Sequence, residues 1–251
     1  VQMQLAYRAS IKRPSYWDLR GNITYANRYT YEMGNPLLQP TTIQSLSLNT
    51  IYRWMSLSLS YNHYKNDYTS YVRAYSEENP TIGLLTREHI APYNRLSASL
   101  TLSPVIGKWT PRWGVQVQRN DCKVDTPRGV ETFDNPRAIL SWRNTVKFTD
   151  SFWINADAYY QTKSQIDNTE YLENSWYMNL NLYKGFLNNR MSLQLQVTDL
   201  FNTRKSHVLM YSGLRTMELD NEMRRTISLT FRYKFNPTKS KYRGTGAGQS
   251  Q

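Results

Sequence analysis

Through most of this chain apolar and polar side chains alternate with a period of two, and that periodicity leaves few folds open. On an extended strand neighbouring side chains project to opposite faces, so each alternating run has one apolar and one polar face. Four runs are close to ideal. Leu96, Ala98, Leu100 and Leu102 alternate with Ser97, Ser99, Thr101 and Ser103, and Met55, Leu57, Leu59 and Tyr61 with Ser56, Ser58, Ser60 and Asn62. Met191, Leu193, Leu195 and Val197 alternate with Ser192, Gln194, Gln196 and Thr198, and Ile227, Leu229, Phe231, Tyr233 and Phe235 with Ser228, Thr230, Arg232 and Lys234. Weaker alternation runs through residues 45–52, 113–118, 138–148, 152–161 and 175–182. An opening run sets Met3, Leu5 and Tyr7 against Gln2, Gln4 and Arg8. Together these segments predict about ten strands.

The connections fall into two kinds. Short ones lie at Arg53-Trp54, Pro104 to Lys108, Thr149 to Ser151 and Gly185 to Asn189. Long polar ones lie at Arg13 to Pro40, Asn66 to Asn94, Asn120 to Asn135, Gln165 to Asn174 and Asn202 to Met223. The two kinds alternate strictly, as the short periplasmic turns and long extracellular loops of an outer-membrane barrel do. Odd-numbered runs then point outward and even-numbered runs inward. Some of the long stretches are expected to carry strands on past the membrane before they turn.

Composition separates a membrane barrel from a soluble sandwich, which also alternates. Only 39% of the residues are apolar, a thin supply for a soluble core, yet there are 20 tyrosines, 7 tryptophans and 7 phenylalanines. A barrel that is wet inside needs one apolar face per strand and aromatic girdles at both interfaces. Trp109, Trp113, Trp142, Phe148, Phe152 and Trp153 are expected in the girdle nearest the short turns. The runs also exceed the roughly 5–6 residues usual for soluble strands. No stretch approaches the roughly 18 apolar residues of a spanning helix, which says nothing against strands that hide from hydropathy windows. The net charge of +12 is spread along the chain rather than gathered in one stripe, so no nucleic-acid partner is expected. Cys122 is alone, which excludes an intramolecular disulfide and a cysteine metal site and leaves a buried or lumenal thiol.

Four segments resemble the TonB-dependent receptor superfamily, in particular its group of outer-membrane β-barrel family proteins. Arg13-Pro14-Ser15-Tyr16-Trp17-Asp18-Leu19 is similar to an "RPxYxxLNP" segment, departing from it at Arg20-Gly21. Gly34-Asn35-Pro36-Leu37-Leu38-Gln39-Pro40 matches a "GNPxLxP" box, and Asp199-Leu200-Phe201-Asn202-Thr203 a "DLFNT" segment. The fourth is the ending, Leu229 to Asn236, followed by the basic and glycine-containing stretch Lys239 to Gly248. In these motifs Arg13, Pro14, Gly34, Asn35, Pro36, Pro40, Asp199, Phe201 and Asn202 are read as structural. Prolines belong at strand ends because they cannot donate to a ladder, and Gly-Asn supplies turn chemistry. Phe231, Tyr233 and Phe235 resemble the family's terminal-strand insertion signal, read by the barrel-assembly machinery.

The expected fold is therefore all-β, an antiparallel up-and-down transmembrane β-barrel in the outer membrane of a Gram-negative bacterium. Residues 1–236 form the barrel domain and 237–251 a basic, Gly-rich tail, flexible and periplasmic. Val1 falls in mid-strand with no signal peptide before it, so the chain is expected to be part of a longer protein. The resemblance implies about 22 strands around a plug in a full receptor, with the chain either closing alone or completed by further strands. It also implies uptake of a nutrient, energised by the TonB system through a plug upstream, with outer-membrane lipid around the wall and a surface lipoprotein as a further partner. A barrel that is structural or only binds a partner is the alternative, and an outer-membrane protease is a more distant one. No cofactor or metal is expected. His63, His89 and His207 lack metal-ligand spacing, and Asp121, Asp125, Asp167 and Glu170 form no recognisable pair with a histidine. The aromatic residues Tyr16, Trp17, Tyr25, Tyr29, Tyr31, Tyr68, Tyr71 and Tyr75 crowd the first two outer loops and are candidate ligand or partner contacts, with rim packing as the structural reading.

Overall fold

A computed structural model describes residues 1–235; the glycine-rich tail of the sequence reading lies outside the described residues. In chain order the elements are β1 (Gln2–Lys12), the single helical turn α1 (Tyr16–Leu19), β2 (Thr24–Asn27), β3 (Thr30–Glu32), β4 (Thr41–Tyr52), β5 (Met55–Lys65), β6 (Tyr68–Ala74) and β7 (Gly83–His89). Next come β8 (Tyr93–Leu102), β9 (Trp109–Asn120), β10 (Cys122–Thr126), β11 (Gly129–Phe133), β12 (Arg137–Thr149) and β13 (Phe152–Gln161). The chain continues through β14 (Ser164–Ile166), β15 (Thr169–Tyr171), β16 (Ser175–Phe186), β17 (Met191–Thr198), β18 (Lys205–Ser212), β19 (Arg215–Glu222) and β20 (Thr226–Tyr233).

Ten of these form one antiparallel meander, ordered β1-β4-β5-β8-β9-β12-β13-β16-β17-β20. Its register sets apolar against apolar and polar against polar from strand to strand. Leu57 faces Leu100, which faces Val115, which faces Leu140. On the other side of the same strands Ser58 faces Ser99, and Ser99 faces Gln116. A slip of one residue would reverse every side chain, so this matching selects the register.

The apolar face looks outward, with Leu59, Leu96, Leu140 and Leu229 all exposed. On a soluble protein so large an apolar patch would drive aggregation, whereas a bilayer solvates it. Among the described residues the buried apolar cluster lies above the wall, where Tyr93, Cys122, Val124, Phe133 and Tyr211 pack together. Asn144, the polar interruption in the apolar face of β12, accepts a hydrogen bond from the Trp109 indole at 3.1 Å, so its carbonyl is not left bare.

Two expectations need correction. Trp153 does not join the outer aromatic girdle: it pairs with Lys147 and Tyr183 on the inner face and stacks on Tyr183 at 5.3 Å. Trp142 lies opposite Trp113 and Ala158, well up the wall rather than beside a turn. The long loops also do more than prolong the wall strands. They fold into separate sheets, β2-β3-β7-β6, β10-β11 and β14-β15-β18-β19. One residue, Asp121, separates β9 from β10, and Asn66 and Asp67 separate β5 from β6. Among the described residues β1 and β20 each have one neighbour in the wall and do not pair with each other.

Candidate functional site at the outer mouth

The first outer loop is organised around Asp18. Ser15 caps α1 by accepting from the Asp18 amide at 3.2 Å, and the Ser15 hydroxyl donates to the Asp18 carboxylate at 2.6 Å. Arg87 on β7 reaches the same carboxylate at 3.0 Å, and the Tyr68 hydroxyl donates to it at 3.2 Å. The Ser15 hydrogen bond and, with it, those from Arg87 and Tyr68 outweigh burial and hold this carboxyl down at about 2.

The glycine-proline box locks onto that turn. A Cβ at Gly34 would lie 2.5 Å from the Asp18 carbonyl oxygen, and the Asn35 amide donates to that oxygen at 2.6 Å. The Asn35 side chain bridges the Arg87 carbonyl (2.9 Å) and the Leu37 amide (2.9 Å), an Asx turn. Arg13 and Pro14 lie between β1 and α1, Pro36 opens the turn, and Pro40 immediately precedes β4. The late segment is a second such knot. Asp199, fully buried with φ +53°, accepts from the Thr203 and Arg204 amides at 3.0 Å each. Asn202 accepts from the Arg225 amide at 3.0 Å, and Phe201 packs on Trp176 at 5.8 Å. At the far end, Phe231 and Tyr233 stand exposed on the edge strand β20, and Phe235 stands exposed two residues beyond it.

The eight aromatic candidates separate into three groups. Tyr16 and Trp17 meet edge to face at 6.2 Å and are 81% and 68% exposed, with Arg20 over the Trp17 ring at 4.9 Å. Tyr31 stacks on Tyr75 at 4.7 Å and meets Tyr25 edge-on at 5.8 Å, and Tyr29 lies under Arg28 at 5.5 Å. Only Tyr68 and Tyr71 enter a cleft of about 620 Å³ enclosed by β6, β7, β10 and the tip of the β18-β19 hairpin.

That hairpin springs from the opposite end of the wall and crosses the mouth. Arg215 donates to the Tyr29 carbonyl at 2.7 Å and the Thr30 hydroxyl at 2.9 Å, and the Leu214 amide donates to the Val72 carbonyl at 2.9 Å. Gly213, at φ +62°, allows the close approach, since a Cβ there would lie 2.5 Å from the Val72 carbonyl oxygen. The cleft floor is the Tyr64–Tyr93 stack, 4.7 Å apart and nearly parallel, with Arg95 over both rings and paired with Asp167 at 2.5 Å. Asp67 accepts the Tyr93 hydroxyl at 2.9 Å. Burial and the neighbouring Asp125 keep the Tyr71 phenol above its ordinary range, and burial pushes the Cys122 thiol up to about 12. Both therefore present neutral groups to the cleft at pH 7. The aromatic floor, hydroxyls and charges of both signs suit a polar, partly planar ligand.

Sequence spacing missed one cluster. His207 on β18 meets Glu218 through Nε2 at 2.6 Å and Asp220 through Nδ1 at 3.8 Å, both on β19 and outside the cleft. Those contacts depend on the hairpin register, which no fixed spacing announces. The three histidines do not converge: His63 bonds Asn94 at 2.9 Å and His89 accepts from the Gln39 amide at 3.0 Å.

Among curated proteins none matches the sequence. Solved structures share the fold. The ferric enterobactin receptor PfeA of Pseudomonas aeruginosa, in a complex with enterobactin, is 14% identical with a TM-score of 0.54 over 91% of this chain and 37% of the receptor. The siderophore receptor PirA of Acinetobacter baumannii is 12% identical with a TM-score of 0.53 over 93% of this chain and 39% of the receptor. The chain thus spans well under half the length of either receptor. The profile of the outer membrane protein beta-barrel family matches residues 1–233. With its lipid-facing meander and that match across the wall, the chain belongs to the outer membrane protein beta-barrel family, as an integral protein of the Gram-negative outer membrane.

Proposed function

We propose that this wall belongs to a receptor that captures a nutrient at the outer mouth and passes it inward with energy from the TonB system. The observation that carries the reading is the roofed cleft. Tyr68, Tyr71 and the Tyr64–Tyr93 floor form a binding surface directly above the polar inner face of the wall. The hairpin held by Gly213 and Arg215 closes over it. Transmission to TonB would run through a plug domain of the kind the sequence motifs imply. Phe231 and Tyr233 on β20 and Phe235 just beyond it, all exposed, would be read by the barrel-assembly machinery during insertion.

A second reading is favoured by one specific observation. Tyr16 and Trp17 face away from the cleft and remain exposed, as expected of a contact with a surface lipoprotein rather than with a solute. Growth under single-nutrient limitation separates the two. Strains lacking the gene, lacking TonB, or carrying Gly213→Val are compared on iron-siderophore, cobalamin, oligosaccharide and peptide sources. Import predicts one source on which all three strains fail together. Normal growth of the gene-deleted strain on every source would reject it.

A further inference from the structure

The inner face of the wall has a charge imbalance that the outer-mouth cleft does not use. Asp157 is the one carboxylate in the ten described wall strands, whereas the register places Arg8, Arg112, Arg137, Arg143 and Arg232 on the inner face. Two of these arginines are direct cross-strand partners: Arg112 on β9 faces Arg143 on β12. Like charges directly opposite each other destabilise a sheet, and the penalty is relieved when something negative sits between them. Asp157 serves only one of the pair, with its Oδ1 3.4 Å from the Arg143 Nε, while its Oδ2 accepts from Asn155 at 3.2 Å. Among the described residues Arg112 has no carboxylate within ion-pairing distance.

The backbone beside the pair leaves room for an occupant. Gly114 faces Ser141 one step further along the same face, and a Cβ at Gly114 would lie 2.5 Å from the Ser141 hydroxyl. Its bare backbone helps form a hollow of about 350 Å³ lined by Arg112, Ser141, Arg143, Tyr159, Tyr177 and Asn179. The Asp157 carboxylate and the Gln116 amide also belong to this lining, so two planar guanidiniums face a single carboxylate that pairs with Arg143, and the Arg112 fork is left to hold an oxyanion by bidentate, charge-assisted bonds. Arg143 lies midway along β12, six residues from either end, and Arg112 lies three residues from the short-turn end of β9, toward the opposite end of that strand from the cleft.

We propose that Arg112 and Arg143 hold a carboxylate or phosphate group midway down the inner wall. The oxyanion comes either from a free solute or from an acidic side chain of polypeptide occupying the lumen. The site is independent of which nutrient the mouth accepts.

The test uses the protein purified from its native outer membrane into detergent, with thermal melting followed by β-sheet circular dichroism. Inorganic phosphate replaces chloride at constant ionic strength. A free-solute site of about millimolar affinity raises the melting midpoint by roughly 2–4 °C at about 50 mM phosphate. That rise is lost in Arg112→Gln and Arg143→Gln and kept in Arg8→Gln, which lies on the same face opposite Ser45. If polypeptide already supplies the oxyanion, phosphate does nothing to the wild type, and Arg112→Gln and Arg143→Gln each lower the midpoint while Arg8→Gln does not. The proposal is overturned if phosphate has no effect and Arg112→Gln leaves the midpoint unchanged or raises it, the mark of an unoccupied like-charge pair.

Discussion

Gln194 and Leu195 are chain neighbours that stand in different solvents. The Gln194 amide donates to Asn181 at 3.0 Å on the inner face, while Leu195 continues the row Leu182–Leu195–Leu229 on the outer face. An arginine placed on the lipid face near the bilayer midplane costs about 2–4 kcal/mol, falling to roughly 0–1 kcal/mol near the interfaces. Leu195→Arg, in the middle of β17, should therefore carry the full penalty. Leu100→Arg, two residues from the periplasmic end of β8, should carry much less, and Gln194→Arg least of all. Denaturant unfolding from phospholipid bilayers measures all three, and equal penalties for Leu195→Arg and Gln194→Arg would refute the assignment of faces. At this scale the chain was readable because the signal is local: each residue's face follows from its parity. Trp153 shows where an aromatic count misleads. Its parity with Asn155 and Asp157 puts it inside, although its nearness to a turn suggests the girdle.

The wall strands and their short turns were legible for the same reason, since Arg53-Trp54 links β4 to β5 as the alternation requires. The outer sheets were not. β3 pairs in parallel with β7, so Thr30 meets Gly83, and Val72 meets Gly213 across the mouth. Those pairings join residues far apart in the chain, and no period marks them. The motif-bearing loop sits between these cases: its prolines and Gly-Asn announce a turn, but not that the turn closes on Asp18 and Arg87. This anchoring has a pH signature. Asp18 titrates at about 2 when folded, below its ordinary value of 3.8. A depressed carboxyl contributes stability that is present above the unfolded value and lost as pH falls through the folded one. The loop should therefore hold near pH 4 and loosen between about pH 4 and 2, as Asp18 takes up a proton. Hydrogen exchange at Asn35, whose amide donates to the Asp18 carbonyl, should accelerate over that interval. In Asp18→Asn it should already be fast at pH 7 and show no such step. A step of the same size in the variant would assign the transition to another group.

The whole molecule is governed by its two free edges. The outward amides and carbonyls of β1 and β20 have no strand partner among the described residues, and unpaired backbone groups in hydrocarbon cost several kcal/mol each. A wall in lipid must therefore pair both edges, either with each other or with additional strands. The likeness to barrels of which this chain spans 37–39% favours additional strands. The discriminating measurement is a pair of cysteines on the inner rows, Gln4→Cys on β1 and Ser228→Cys on β20, in a Cys122→Ser background. Adjacent antiparallel strands bring Cβ atoms to about 4.5–5.5 Å, within reach of a disulfide after small adjustment. A wall completed by additional strands predicts that in native membranes under mild oxidation the pair stays reduced. A positive control, Ser58→Cys with Ser99→Cys, directly opposite on β5 and β8, should cross-link. Because register at a newly formed seam is free to shift, Gln2→Cys and Ala6→Cys are tested against Ser228→Cys as well. A disulfide from any of the three would mean that ten strands close on themselves, and the inner arginines would then line a much narrower lumen than the one a larger barrel provides.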